Sequence, residues 1–172
     1  AFLSWLTDLL VQRQTDVLLI AGDVFDVANP SAAAQRRFFR FLREANRRNP
    51  HLQIVVIAGN HDSAARLEAP VPLLEELNTS IVGIVPRTDL CKIDFGSLLI
   101  PLYNKERKRE ALCLAVPYRR QGDYPASKEG KDTYVEGITR MYHELYDYAD
   151  SQRQPGEALL AMGHLHATGA EL

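Results

Sequence analysis

Cysteine is scarce in this sequence: Cys91 and Cys113 are the only two among 172 residues. They form neither a metal-ligand spacing nor a disulfide framework. That excludes the small stapled secreted folds and reads as two small core residues in a reducing compartment, the cytoplasm. Long apolar runs are missing as well. No stretch approaches the eighteen or so residues of a membrane span and no signal-peptide pattern is visible, so no membrane partner is expected. An excess of one charge is also absent. Twenty basic residues against 22 acidic ones leave a formal net charge of -2, so no global field attracts polyanions and any nucleic-acid contact must come from local patches or bound metal.

What is present is the balance of an ordinary globular domain, 46% apolar and 24% charged, with length enough for one substantial core. Phe2, Leu3, Leu6, Leu9 and Leu10 recur at helical spacing, which predicts an opening helix to about Gln14. Asp16 to Ala21 is a short, almost wholly apolar run closed by Gly22, the pattern of a parallel strand covered on both faces. "NPS" at Asn29 to Ser31 signals a turn and a helix N-cap, followed by a helix to about Arg48. Leu52 to Ala58 repeats the apolar strand, again closed by glycine. Helix, strand, helix, strand indicates an α/β layer architecture.

Further on, we expect a short helix over Val71 to Leu77 and a strand over Ser80 to Val85. Leu98 to Tyr103 and Ala111 to Val116 read as a hairpin around "NKERKRE". Arg119 to Asp132 has the glycine, proline and charge content of a surface loop. Tyr134, Ile138, Met141, Leu145 and Tyr148 then mark an amphipathic helix, and Ala158 to Met162 a last strand ending in "GHLH". The six arginines Arg36, Arg37, Arg40, Arg43, Arg47 and Arg48 give the second helix either a phosphate or partner face or a plain solvated one. His51 and His143 read as surface residues, and the tyrosines of the last helix as packing.

Three apolar strands thus end in "GD", "GNHD" and "GHLH", at the sheet edge where open α/β folds place their ligands. Asp23, Asn60 and His164 together offer carboxylate, amide and imidazole, a donor mixture suited to Mn, Fe or Zn and less to Ca. Asp26 and Asp62 read as residues that orient neighbouring backbone or ligands rather than bind metal.

"LLIAGDVFD", "IVVIAGNHD" and the later "GH" resemble the motif series of the calcineurin-like metallophosphoesterases. Within that superfamily the chain is most similar, over nearly its whole length, to the D-subunit family of bacterial SbcCD double-strand-break repair nucleases. The resemblance implies a metallophosphoesterase-type layered α/β fold, with central β-sheets flanked by helices. It also implies a pair of divalent metal ions, Mn2+ first, with Mg2+, Fe2+ or Zn2+ as alternatives. Asp23 would bridge the ions, Asn60 and His164 would be ligands, and His61 would sit over the scissile phosphate as the catalytic imidazole. The implied activity is hydrolysis of DNA phosphodiesters, as a double-strand exonuclease and a single-strand or hairpin endonuclease in recombination and repair. The implied partners are DNA and an SbcC-type ATPase, with a homodimer of nuclease subunits inside a heterotetramer. The family's opening Asp-x-His motif is absent, and "GHLH" better fits the family's penultimate Gly-His motif than its final Gly-His-x-His. Residues 1–172 therefore read as an internal fragment, incomplete at both ends, with His166 a neighbour of the ligands. Two rival functions remain: a phosphoesterase acting on small phosphoesters or nucleotides, and a non-catalytic binding or scaffold domain.

Overall fold

The computed structural model describes residues 1–74, 77–119 and 133–165. Strands β1 (Val17–Ala21), β2 (Gln53–Ile57) and β3 (Thr79–Val82) form a parallel sheet in the order β1-β2-β3. Strands β4 (Leu99–Tyr103), β5 (Arg109–Val116) and β6 (Ala158–Gly163) form a second sheet, with β4 antiparallel and β6 parallel to the central β5. The fold is therefore α/β with two sheets, and the three glycine-closed strands do not share one of them: β6 lies in the second.

Side-chain alternation along β2 shows how the layers stack. Ile54, Val56 and Ala58 pack with Leu10 of α1 (Phe2–Gln12) and with Phe38, Phe41, Leu42 and Ala45 of α2 (Ala32–Arg48). Val55 and Ile57 point the other way, into a core shared with Cys113 and Ala115 of β5 and with Met141, Leu145 and Ala149 of α6 (Thr133–Gln152). The order is helices, sheet, sheet, helix. Every residue of β2 is buried, and each such aliphatic side chain contributes roughly 1.5–3 kcal/mol.

Local chemistry sets the helix limits. Ser31 caps α2 by accepting from the backbone N of Ala34 at 3.2 Å, and the last turn carries Arg47 and Arg48, as the helix dipole favours. Two short helices, α3 (Ala64–Glu68) and α5 (Phe95–Leu98), were not expected from periodicity, because four or five residues show no period. Asp94 caps α5, so β4 starts at Leu99. The expected helix at Val71 is α4, described over Val71–Leu74.

The sheets are also fastened by polar groups at the amino ends of β1 and β2. The Gln53 amide donates to the carbonyl of Pro101 at 2.8 Å and accepts from the backbone N of Tyr103 at 3.2 Å, occupying the free edge of β4. Lys105 N donates to Asp16 Oδ1 at 3.0 Å. Two expectations need correction. Cys91 is exposed, in a turn with φ 57, and only Cys113 is a core thiol. Arg119, placed by composition in a surface loop, is 1% exposed and lies against Met141; the remainder of that segment falls outside the described residues. Among those residues no helix is long and apolar enough to cross a membrane.

Candidate metal centre

Parallel strands β1 and β2 end side by side, with Ala21 opposite Ile57, so the residues that follow are brought together by register. Gly22 (φ 89) and Asp23 (φ 45) take the left-handed conformation and turn the chain sharply at the end of β1. That conformation is uncommon for a non-glycine residue and is typical of functional turns. Opposite it, a Cβ on Gly59 would collide with both the backbone N and Oδ1 of Asp23. Only glycine allows this approach. His61 N then donates to Asp23 Oδ1 at 3.1 Å, closing the two loops on each other.

Asp62 is the fastening beneath them. It is 1% exposed, and its carboxylate accepts from Gly59 N at 2.8 Å, Val24 N at 3.0 Å and Phe25 N at 2.9 Å. Three backbone donors left over at the ends of the strands are satisfied by one buried anion. The expectation that Asp62 orients backbone is met. Asp26 contributes through its carbonyl, which accepts from His61 Nδ1 at 3.0 Å.

The second sheet supplies His164, just past the end of β6. Its Nδ1 lies 3.0 Å from the carbonyl of Ala21, an acceptor only, so Nδ1 carries the proton. Its Nε2 faces Asn60 Oδ1 at 2.9 Å and Asp23 Oδ2 at 3.4 Å. Imidazole, amide and carboxylate thus meet at one point, a combination of donor groups that a divalent metal ion accepts. A backbone carbonyl holding the far nitrogen is the usual way a ligand histidine is oriented. The donor set therefore fits a divalent transition metal. It is mixed: among the described residues no group of three or more His, Cys, Asp or Glu could hold an ion.

Tyr118, which no sequence motif singles out, packs edge-on against the His164 ring with centroids 6.1 Å apart. Its backbone N donates to Ala58 O at 2.8 Å, docking the exit of β5 onto the exit of β2. Its role comes from contact between sheets, which leaves no local signal. His61 is exposed, its Nδ1 is held by the Asp26 carbonyl, and no hydrogen bond engages its Nε2 among the described residues. His51 and His143 are exposed; His166 lies outside the described residues.

This geometry agrees with the family comparison: residues 1–170 match the calcineurin-like phosphoesterase family, and the chain belongs to it. Similar proteins include the SbcCD nuclease D-subunit of Rhodobacter capsulatus, 44% identical over 98% of this chain and 42% of the relative. The proteins of the same name from Bacillus subtilis (38% identical; 97% and 41%) and Escherichia coli (31%; 99% and 41%) follow. The chain thus spans about two fifths of the length of these relatives.

Proposed function

We propose that this chain is part of a DNA nuclease of the SbcCD D-subunit type, hydrolysing phosphodiesters with two divalent metal ions, Mn2+ foremost. The observation that carries this reading is that Nε2 of His164 lies 2.9 Å from Oδ1 of Asn60 and 3.4 Å from Oδ2 of Asp23. In this reading Asp23, Asn60 and His164 would hold the ions, Asp23 as the carboxylate shared between them. When bound, such ions supply a nucleophile at neutral pH and offset the charge of the phosphate. The protein's part is to hold the donors, through Asp62 and the Ala21 carbonyl, and to place one free imidazole beside them.

That imidazole is His61. Its Nδ1 proton is committed to the Asp26 carbonyl, so Nε2 is the atom left to contact a phosphate oxygen or to give a proton to the leaving oxygen. The side chains of His164 and Asp23 are 26% and 37% exposed, open enough for a polymer phosphate to approach.

We further propose that residues 1–172 are an internal portion of the nuclease domain, with the Asp-x-His and final Gly-His-x-His motifs elsewhere in a longer protein. Two observations support this. The matched relatives are more than twice as long, and β1 and β6 are adjacent edge strands that leave Leu19 37% and Leu160 41% exposed. Such apolar edges suit pairing with further strands. The partner would be a further subunit of an SbcCD-type complex, as the names of the relatives suggest; an SbcC-type ATPase, a paired nuclease subunit in a heterotetramer and a cytoplasmic location are what the family resemblance adds to this reading.

The complete protein should cleave hairpin-ended duplex DNA in Mn2+ and leave a panel of nucleotides uncut. Turnover of nucleotides alone would support the small-substrate phosphoesterase instead. His61→Ala should lower kcat by about 10²–10⁴ while Mn2+ and DNA still bind; parallel loss of metal would show His61 to be misassigned.

A further inference from the structure

The arginines of α2 fall into two rows. Arg36, Arg40, Arg43 and Arg47 recur at spacings of four, three and four, so they form one stripe along the helix. At 100° per residue that stripe points directly away from Phe38, Phe41, Leu42 and Ala45, the buried face. All four are exposed. The second row, Arg37 and Arg48, lies to one side with Glu44. Arg48 is accounted for by its 2.6 Å pair with Asp8, which ties α1 to α2.

A solvated helix face ordinarily mixes signs, because Glu and Lys four apart support each other. Here Glu44 is the single acid among seventeen residues that hold six arginines and no lysine. It lies 2.9 Å from Arg47 and 3.7 Å from Arg43, leaving Arg36 and Arg40 uncompensated on the helix. The helix carries a formal +5 inside a chain of net -2. The last-turn dipole explains Arg47 and Arg48 alone. Guanidinium in preference to ammonium is the choice suited to phosphate oxygens.

The placement of the stripe gives it a use. α2 leaves the candidate metal centre directly: Asp26 holds His61, Asn29 accepts from Arg66 of α3, and Ser31 caps the helix. From Arg36 to Arg47 the stripe runs about 16 Å at 1.5 Å per residue, the axial rise of about five phosphates along one strand of duplex DNA.

We infer that the arginine stripe of α2 is a backbone track for duplex DNA, which binds phosphates beyond the scissile one without reading sequence. This rests on the nuclease reading above and narrows its substrate to a polymer. The test is duplex binding by the complete protein in Ca2+ across a salt series, comparing wild type with Arg36→Gln/Arg40→Gln/Arg43→Gln. Each lost phosphate contact reduces the slope of log K against log salt by about 0.9, so the triple variant should lose about 2–3 units of slope and bind more weakly. Helicity by circular dichroism should be unchanged, since glutamine matches arginine in helix propensity. A control removes the same charge from the exposed β4–β5 connection, Lys105→Gln/Arg107→Gln/Lys108→Gln, and should keep the wild-type slope.

An unchanged slope in the α2 variant, or an equal fall in both variants, overturns the inference. So does an unchanged DNA slope accompanied by weaker association with the ATPase partner, which would make the stripe a protein contact. Wild-type hydrolysis of a small phosphodiester in Mn2+ is measured alongside. If that is present while the slope does not move, the track alone fails; if wild type neither cleaves nor binds DNA, the nuclease reading fails with it.

Discussion

The first sheet delivers Asp23 and Asn60 from neighbouring strands whose register pairs Ala21 with Ile57. The second sheet delivers His164 from the end of an edge strand, 143 residues along the chain from the carbonyl that orients it. The first pair of donors is fixed by backbone hydrogen bonds gathered on one buried carboxylate, Asp62. The third is fixed by packing: the β2–β5 interface, the ring of Tyr118, and one hydrogen bond to Ala21. A metal site assembled as proposed above would have one rigid half and one half that follows the integrity of the core between the sheets.

The largest effect should come from the rigid half. Asp62→Ala leaves three backbone donors without their acceptor, at about 1–3 kcal/mol each. We expect a loss of at least about 3 kcal/mol of stability in urea unfolding, with Mn2+ affinity falling in the same variant. A loss below about 1 kcal/mol would mean that water replaces the carboxylate and that the half is not rigid.

Next comes the core behind the second sheet. Leu145→Ala should cost about 2–5 kcal/mol, since this side chain is fully buried in the shared core. Cys113 reports on the same region. Burial pushes its thiol up to about 11 from 9.0, so in the folded protein it should react with a thiol reagent about a hundredfold more slowly than an ordinary thiol, or slower still. Exposed Cys91 should label at once. Leu145→Ala should raise the Cys113 rate; equal labelling of both cysteines in wild type would contradict the packing described for β5.

A smaller, pH-dependent effect belongs to the Arg109–Glu157 pair, 2.6 Å apart, which joins the start of β5 to the residue before β6. The Arg109 hydrogen bond holds the Glu157 carboxyl below its ordinary value of 4.5. The sign follows: this stabilisation is complete above the ordinary value and is lost as pH falls through the lowered one. Wild type should therefore exceed Glu157→Gln in melting temperature near pH 7, and the gap should close in acid. A gap independent of pH would show that the pair contributes by packing alone. Smallest of all should be His164→Ala, whose partly exposed ring makes one backbone hydrogen bond; we expect a change of about 1 kcal/mol or less, readily separated from its effect on metal.

The same contrast governs what is legible in the sequence. Asp23, Asn60 and the strands beneath them are legible because a buried parallel strand is a local apolar run and the glycine that ends it is a local necessity. Helix α2 is legible almost to the residue, from the Ser31 cap to Arg48. Membership of β6 in a second sheet is not, since an apolar run carries no mark of its partner strand. Arg119 and Cys91 are misplaced for the same reason: composition describes a segment, whereas burial is decided by what folds over it. Tyr118 has meaning only once the exit of β5 docks on β2.

The most direct test of the central claim is calorimetric titration of Mn2+ into the complete protein and its Asp23→Ala variant. Loss of a residue that merely supports a ligand typically costs about 10–100-fold in metal affinity. Removal of the carboxylate that faces His164 should therefore weaken binding by at least that much, with the fold intact by circular dichroism. Superimposable isotherms for the two proteins would contradict the assignment of these three residues as a metal centre.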